Sequence, residues 1–424
     1  MFEQAVTTTK IIRVGHLSPQ DMDKLIFYVG GESAYPCMII DNYPLPPRDA
    51  MLKGLQKLRN VEIQDKVFPD PKTRDVTAMV NAMKGKPVNV VIGIGGGSSM
   101  DAAKGVAVIL SNGGEPDDYL GAMPSRKIEK RDVKLILIPT TAGTGSEVTK
   151  VGVYTSHDGR KYTLGHPLMQ ADIAVLVTEY VETLPPALTA STAFDALSHA
   201  LETIWNKNAN PLTDRVAVES AVHILKWMER AYDSSLSGST DGRAEMLEGA
   251  CMAGAAFSMT GTAAVHALSF ILSEEWHVPH GTACAFLLED VFRLNVVNVA
   301  TKRRLAKIGR ELFGESDAGM TAASGEHNDD RMTAAVSGEH NDDRMTAAAS
   351  GERDDDCMTA ALLDRIVALK KKFSLPFTFG DLNICLEVGR IGDLFRKSLD
   401  DPKMKNNIVD MDEAMIVSLL TLKI

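Results

Sequence analysis

Residues 88–101 read VNVVIGIGGGSSMD, and this stretch decides the fold. Its first eight residues are almost continuously apolar, which suits a strand covered on both faces, as in a parallel sheet between helices. Gly95, Gly96, Gly97 and Ser98 follow at once and open a predicted helix over 98–110. A glycine turn between a buried strand and a helix start offers bare amides and the positive end of the helix to a phosphate. Glycines also let the backbone approach a ligand closely. The turn is not a GxGxxG fingerprint and does not follow the first strand, so taken alone it reads equally well as a structural turn.

Working outward, strands are expected over 24–29, 37–40, 133–138 and 173–177, with a helix over 47–59 between the first two and the glycine turn. The run VKLILIP at 133–139 is as apolar as the central one. Strand–helix alternation predicts an α/β doubly wound domain. After Leu184-Pro185-Pro186 the texture changes to Ala, Leu, Met and Glu, and helices are expected over 190–206, 211–232, 242–258, 261–276 and 362–373. A chain of 424 residues exceeds the roughly 250–300 that one core serves, so two domains are expected, 1–185 and an all-helical 186–424.

The helical half contains a tandem repeat. Residues 324–336 read SGEHNDDRMTAAV, 337–349 SGEHNDDRMTAAA and 350–362 SGERDDDCMTAAL. Each copy has too little apolar surface to offset the entropy of ordering it, so 324–362 is expected to be a surface loop, disordered or loosely helical. A metal tract on His327 and His340 is the sharper alternative. The repeats hold ten acids against three arginines, a net of −7, whereas the whole chain is −11. The acidity therefore belongs mostly to the repeats, and an acidic chain is not expected to bind nucleic acid. Five scattered cysteines without a CxxC pair suggest a reducing compartment. With no signal core and no long apolar run, a cytoplasmic, non-membrane location is expected.

Two further constellations carry chemistry. Residues 139–147, PTTAGTGSE, follow the second buried strand, and Thr140, Thr141, Thr144 and Ser146 could line a nucleotide cleft with donors. Asp41 ends the strand CMIID, where a carboxylate can accept both hydroxyls of an adenosine ribose and repel a 2′-phosphate. Asp195 and His199 lie at i and i+4 on a predicted helix, one face of it. With His266 and His280 they offer one carboxylate and three imidazoles, a set for Fe(II) or Zn(II) that leaves room for substrate. Without a thiolate in that set, a structural zinc is disfavoured. His277, among Glu274, Glu275 and Trp276, reads as a surface or rim residue.

With these residues in view, the chain resembles the iron-dependent (group III) alcohol dehydrogenases. The resemblance rests on GGGSSMDAAK at 95–104, PTTAGTGSEVT at 139–149, FDALSHALE at 194–202 and HALSFILSEEWHVPHG at 266–281, in that order. It implies a Rossmann-like domain, an all-α domain and a cleft between them, the architecture shared with dehydroquinate synthase. By position, Asp195, His199, His266 and His280 match the metal ligands. Gly95, Gly96, Gly97, Ser98 and Asp101 match the diphosphate loop, Thr140, Thr141, Thr144 and Ser146 the second nucleotide loop, and Lys161 a nicotinamide-ribose contact. Asp41 matches the position that favours NAD over NADP. Where the family often has a further histidine, this chain has Phe270, so water or a cofactor hydroxyl must relay the proton. Thr178-Glu179 replaces the usual Asp-Pro and looks structural.

Flanking residues resemble the phosphonoacetaldehyde reductase branch: DALSHALETIWNKNANP at 195–211, the aromatic at 270, HVPHGTACAF at 277–286 and KMKNN at 403–407. That implies a small, anionic aldehyde, with Asn206, Lys207, Asn208, Asn210 or Lys150 as donors to its head group. The expected reaction is reversible NAD(P)H-linked reduction of such an aldehyde at Fe(II) or Zn(II), by a chain for which a homodimer is among the expected assemblies. Two rivals are a dehydroquinate-synthase-type lyase and a scaffold that binds a partner through the repeats.

Overall fold

A computed structural model describes residues 7–317 and 342–424, with the side chains of 315–317 and 342–350 outside the described set. The strands are β1 (Lys10–Val14), β2 (Pro36–Asp41), β3 (Glu62–Val67), β4 (Val90–Gly95), β5 (Lys134–Pro139), β6 (Val151–Thr155), β7 (Lys161–Gly165) and β8 (Ile173–Val177). Six of them form one parallel sheet in the order β1-β8-β5-β4-β2-β3, while β6 and β7 pair as an antiparallel hairpin. Helices α1 (Pro19–Gly30), α2 (Pro46–Leu55), α3 (Thr73–Ala82) and α4 (Gly97–Asn112) connect the early strands.

Every residue of β4 is buried, as its unbroken apolar run predicts. Its pleat sends alternate side chains to opposite faces. Val91, with Leu135 and Leu137 of β5, packs among Met100, Val106 and Met79 on one face. Val90, Ile92 and Ile94 join Ile136, Ile138, Met22 and Leu52 on the other. Each such side chain contributes about 1.5–3 kcal/mol relative to exposure, so the sheet centre is its most strongly held part. From β2 the chain steps outward to β3, then returns to β4 and runs the other way through β5 and β8. The order therefore reverses between β2 and β4, where a parallel sheet opens a crevice at its strand ends. Asp41 and the glycine turn stand on either side of that crevice.

From Pro186 the described chain is helical: α5 (Pro186–Ile204), α6 (Pro211–Ser237), α7 (Arg243–Thr260), α8 (Ala264–Trp276), α9 (His280–Asn295), α10 (Val299–Asp317), α11 (Asp342–Lys372), α12 (Val388–Phe395), α13 (Pro402–Asn406) and α14 (Glu413–Thr421). Their shared core includes Phe194, Leu197, Leu201, Trp205, Phe286 and Phe292, all at most 1% exposed. Among the described residues no single helix is long and apolar enough to cross a bilayer.

Three expectations are corrected. Residues 24–29 are not a strand but the second half of α1. Ser18 caps that helix by accepting from the Asp21 amide, Pro19 sits in its first turn, and Met22 and Ile26 bury one stripe four residues apart. β1, β3 and the β6–β7 hairpin were not anticipated. The segment 324–362, expected as a disordered or loosely helical surface loop, is from Asp342 onward the first part of α11. The third copy is held by α10: Met358 is 1% exposed and its carbonyl lies 2.6 Å from where a Cβ on Gly309 would stand. Arg310 pairs with Asp354 and Asp355, and Lys302 with Asp356. Residues 324–341, with His327 and His340, lie outside the described residues.

Candidate metal and dinucleotide site

At the crevice, α4 begins directly on the glycine turn with Gly96 as N-cap, and no side chain caps its first turn. A Cβ on Gly95 would stand 2.3 Å from Ser99 Oγ and 2.7 Å from Asp41 Oδ2, so only glycine fits there. A Cβ on Gly96 would meet nothing nearer than Thr141 at 3.5 Å, which leaves its outer side open. Uncapped amides above such a cradle fit a diphosphate. Asp41 accepts from Arg48 Nη1 at 3.0 Å and from the Tyr43 amide at 3.1 Å, while its other oxygen lies 3.5 Å from Ser99 Oγ.

The second loop lies alongside. The Thr140 amide donates to Gly95 O at 3.0 Å, and Thr144 Oγ1 accepts from the Ser146 amide at 3.2 Å. Beneath both loops Lys104 is fully buried and donates to Ser146 Oγ, Thr149 Oγ1 and Val151 O at 2.6–3.0 Å. Burial lowers its ammonium to about 8 despite the Asp101 and Glu147 carboxylates beside it. Asp101 accepts from Ser146 Oγ at 2.7 Å and the Val153 amide at 2.9 Å, so its carboxylate ties the two loops to the hairpin. The Lys161 ammonium, 7% exposed, donates to Asp70 at 2.7 Å on the far wall.

The metal-like set converges from three helices. Asp195 and His199 share a face of α5, His266 lies in the first turn of α8, and His280 is the first residue of α9. From Asp195 Oδ1 the distances are 3.5 Å to His266 Nε2, 3.5 Å to His280 Nε2 and 3.8 Å to His199 Nδ1. Asp195 Oδ1 and His199 Nδ1 are buried with no hydrogen-bond partner among the described residues. An unpaired buried carboxylate oxygen facing imidazole nitrogens is costly unless a cation completes it, so these residues fit a divalent metal. Burial opposes ionisation of Asp195, but the surrounding imidazoles prevail and hold its carboxyl below the usual range. Burial takes His199 down to about 3, so the ring stays neutral and one nitrogen keeps a lone pair free for a metal.

Two residues here escaped the sequence reading. Glu202 Oε2 lies 2.5 Å from His266 Nδ1, and Oε1 accepts from the Val265 and His266 amides at 2.6 and 3.2 Å. A carboxylate there fixes the imidazole with Nε2 facing the centre. Asp195, His199 and Glu202 form an i, i+4, i+7 series, a signal available in the sequence. The other is Cys284, one turn after His280 and fully buried.

One cleft, of about 930 Å³ counting its open mouth, joins the two halves. Gly97, Ser98, Thr144 and Ser146 line it together with Asp195, His199, His266 and His280, and Lys161, Phe270 and Lys403 belong to the same lining. The proposed head-group donors lie elsewhere. Asn206 donates to Gly261 O, Lys207 pairs with Asp410, Asn208 donates to Thr260 O, and Asn210 caps α6. Lys150 is also absent from the cleft lining. Lys207 and Asn208 instead help anchor the KMKNN segment: Lys207 Nζ donates to Lys405 O at 3.2 Å, Asn208 Nδ2 to Asn406 Oδ1 at 3.3 Å, and the Lys207 amide to Asn406 O at 2.7 Å. Asn407 completes the anchor by exchanging amide hydrogen bonds with Asn295 at 2.9 and 3.0 Å. His277 is exposed in a left-handed turn at the end of α8. Glu179 accepts from the Leu17 amide and meets His16, a structural tie.

A parallel sheet with a glycine turn at its switch point, joined to a helical half with a carboxylate–imidazole centre, defines a dinucleotide- and metal-binding class of fold. The family models agree: residues 33–178 match iron-containing alcohol dehydrogenase, and 189–338 match the C-terminal part of the Fe-containing alcohol dehydrogenase family. The chain is 34% identical to choline dehydrogenase of Bacillus subtilis over 64% of its own length and 67% of the relative's. It is 39% identical to "Probable alcohol dehydrogenase EutG" of Salmonella typhimurium over 57% of its own length, and spans only 60% of that protein. The fold matches that of sulfoacetaldehyde reductase from Bifidobacterium kashiwanohense in complex with NAD+, with TM-score 0.79 and 24% identity over 100% and 99% of the two chains. The chain belongs to the iron-containing alcohol dehydrogenase family.

Proposed function

We propose that the chain is a metal-dependent, nicotinamide-linked reductase of a small anionic aldehyde, with phosphonoacetaldehyde converted to 2-hydroxyethylphosphonate. The observation that carries this reading is the single cleft holding both the glycine cradle and the Asp195/His199/His266/His280 cluster. Such a metal, Fe(II) or Zn(II), polarises a carbonyl oxygen as a Lewis acid, and a nicotinamide cofactor supplies the hydride.

The chain's own residues set the rest. The Gly96–Ser98 turn and the first amides of α4 receive the diphosphate, and Asp41 receives the adenosine ribose, which favours NAD(H) over NADP(H). Lys161 faces the nicotinamide side of the cleft. Phe270 walls the imidazole end, with its ring centre 6.0 Å from that of His280, and excludes water there. Lys403 Nζ, paired with Asp401 at 3.1 Å, and Lys161 Nζ, paired with Asp70, lie 4.0 and 5.8 Å from the Phe270 ring centre, and both line the cleft, which places two cationic groups within reach of an anionic substrate there. Both are mostly buried, where a charge-assisted bond to a phosphonate is strongest. A sulfonate presents the same three oxygens, so sulfoacetaldehyde is the second reading, supported by the structural likeness above. Buried thiols at Cys37, Cys251 and Cys284 suit the cytoplasm, and β1, an edge strand among the described residues, suits a homodimer, which light scattering would test.

The test is NADH oxidation with phosphonoacetaldehyde, sulfoacetaldehyde and propanal, repeated with Lys403→Met. The anionic aldehydes should be preferred, and the substitution should raise their KM by about tenfold or more while leaving propanal nearly unchanged. Equal efficiency on propanal contradicts the anionic assignment.

A further inference from the structure

Arg48, in the first turn of α2, has no part in the reaction proposed above, yet its side chain is only 4% exposed. A buried guanidinium is costly to desolvate unless its planar fork is filled. Here Nη1 donates to Asp41 Oδ1 at 3.0 Å, Nη2 to Tyr43 O at 2.7 Å and Nε to Asp49 Oδ1 at 3.1 Å. One group thus ties the end of β2, the loop after it and α2 together. Asp41 lies one residue past the last pair of β2 with β4, and the register against β3 shifts just before it. The direction of its carboxylate is therefore set by contacts outside the ladder.

Those contacts treat the two oxygens differently. Oδ1 accepts from Arg48 and, at 3.1 Å, from the Tyr43 amide, which occupies both of its lone pairs. Oδ2 meets only Ser99 Oγ at 3.5 Å and stands on the glycine-turn side, 2.7 Å from where a Cβ on Gly95 would be. We propose that Arg48 is a positioning residue for the dinucleotide, holding Asp41 Oδ1 so that Oδ2 is turned to the adenosine ribose. The inference rests on the reading of Asp41 as the ribose acceptor. Arg48 acts through Asp41 and not on the cofactor, because its Nε and Nη2 are held by Asp49 and Tyr43. Two carboxylates around one guanidinium also leave this corner negative, which opposes a 2′-phosphate.

The test is NADH binding without substrate, followed by the fluorescence of the bound nicotinamide. It compares the wild-type chain, Asp41→Ala, Arg48→Met and the double variant, each checked by thermal melting. Asp41→Ala and Arg48→Met should each weaken NADH about tenfold, the scale of one hydrogen bond to a charged group. The double variant should bind about as well as Asp41→Ala alone, since Arg48 then has nothing to orient, whereas a merely structural role would multiply the two losses. If Arg48→Met does not fold, Arg48→Lys, which keeps the charge without the fork, takes its place and should show the same non-additivity with a smaller loss. Wild-type affinity in Asp41→Ala overturns the ribose reading itself. A loss in Asp41→Ala with wild-type affinity in the Arg48 variant, or with losses that multiply in the double, overturns the role of Arg48 and leaves the ribose reading standing.

Discussion

Replacing Glu202 by glutamine perturbs the metal centre without touching any atom that faces the ion. The carboxylate now serves three donors at once: the Val265 amide, the His266 amide and His266 Nδ1–H. Glutamine keeps the shape but has only one acceptor oxygen. If that oxygen stays with the two backbone amides, the side-chain NH2 faces His266 Nδ1, and the ring must move its proton to Nε2. Nε2 is the atom 3.5 Å from Asp195 Oδ1, so His266 would lose the lone pair it offers the metal. If the amide flips, two backbone N–H groups face an NH2 in a buried site, at a cost of about 1–3 kcal/mol. In the first arrangement metal affinity should fall by about 10–100-fold, roughly 1.4–2.7 kcal/mol; in the second the oxygen again accepts from Nδ1–H and the cost falls on the stability of the fold. Competition against a metallochromic chelator measures it, with circular dichroism confirming that the variant is folded. Wild-type metal affinity together with a wild-type thermal melt in Glu202→Gln would refute the claim that Glu202 fixes the His266 tautomer.

Three further outcomes follow from the same structure. Glu147 is 1% exposed with neither oxygen hydrogen-bonded among the described residues, and burial raises its carboxyl from 4.5 to about 7. The folded chain thus keeps a proton that the unfolded chain releases, so stability falls as pH rises from 4.5 to 7 and levels off above. Glu147→Gln should remove roughly 3 kcal/mol of that fall, read by urea unfolding at the two ends of the window; an unchanged slope contradicts it. Gly96→Ala should leave the melting temperature near wild type yet raise the KM for NADH, whereas Gly95→Ala, with contacts of 2.3–2.7 Å, should lower both stability and affinity. Asp41→Ser should shift the NADH/NADPH ratio of kcat/KM about tenfold towards NADPH, because it removes the charge opposed to a 2′-phosphate; an unmoved ratio denies Asp41 that role.

What the sequence disclosed, and what it hid, follows from the range of each interaction. β4 and β5 were legible because strands buried on both faces must be apolar without interruption. β1 and β3 lie at the sheet edges with mixed exposure, so they lack that signature. The mistaken strand at 24–29 is a helix whose apolar stripe, Met22 and Ile26, is set by its neighbours and its Ser18 cap. Asp195 and His199 announced themselves through helical spacing, and the structure brings His266 and His280 to them. Lys403, more than 200 residues beyond Asp195, could be placed in the cleft only by the Asn407–Asn295 anchor that folding creates. Cys284 carries no signature in the sequence, because a lone thiol one turn beyond a histidine lacks the CxxC spacing that marks a thiol as functional. The repeats misled for a related reason: copy by copy they bury little, and the ordering of the third comes from α10, not from within the repeat.

The most direct test of the whole account is turnover before and after metal removal. The chain is stripped with a strong chelator, then assayed for NADH oxidation with phosphonoacetaldehyde, and assayed again after Fe(II) or Zn(II) is returned under anaerobic conditions. Loss of at least about a hundredfold in rate, roughly 2.7 kcal/mol of barrier, with recovery on adding metal, is the predicted result. Full NADH-dependent activity in the verified metal-free protein would contradict it.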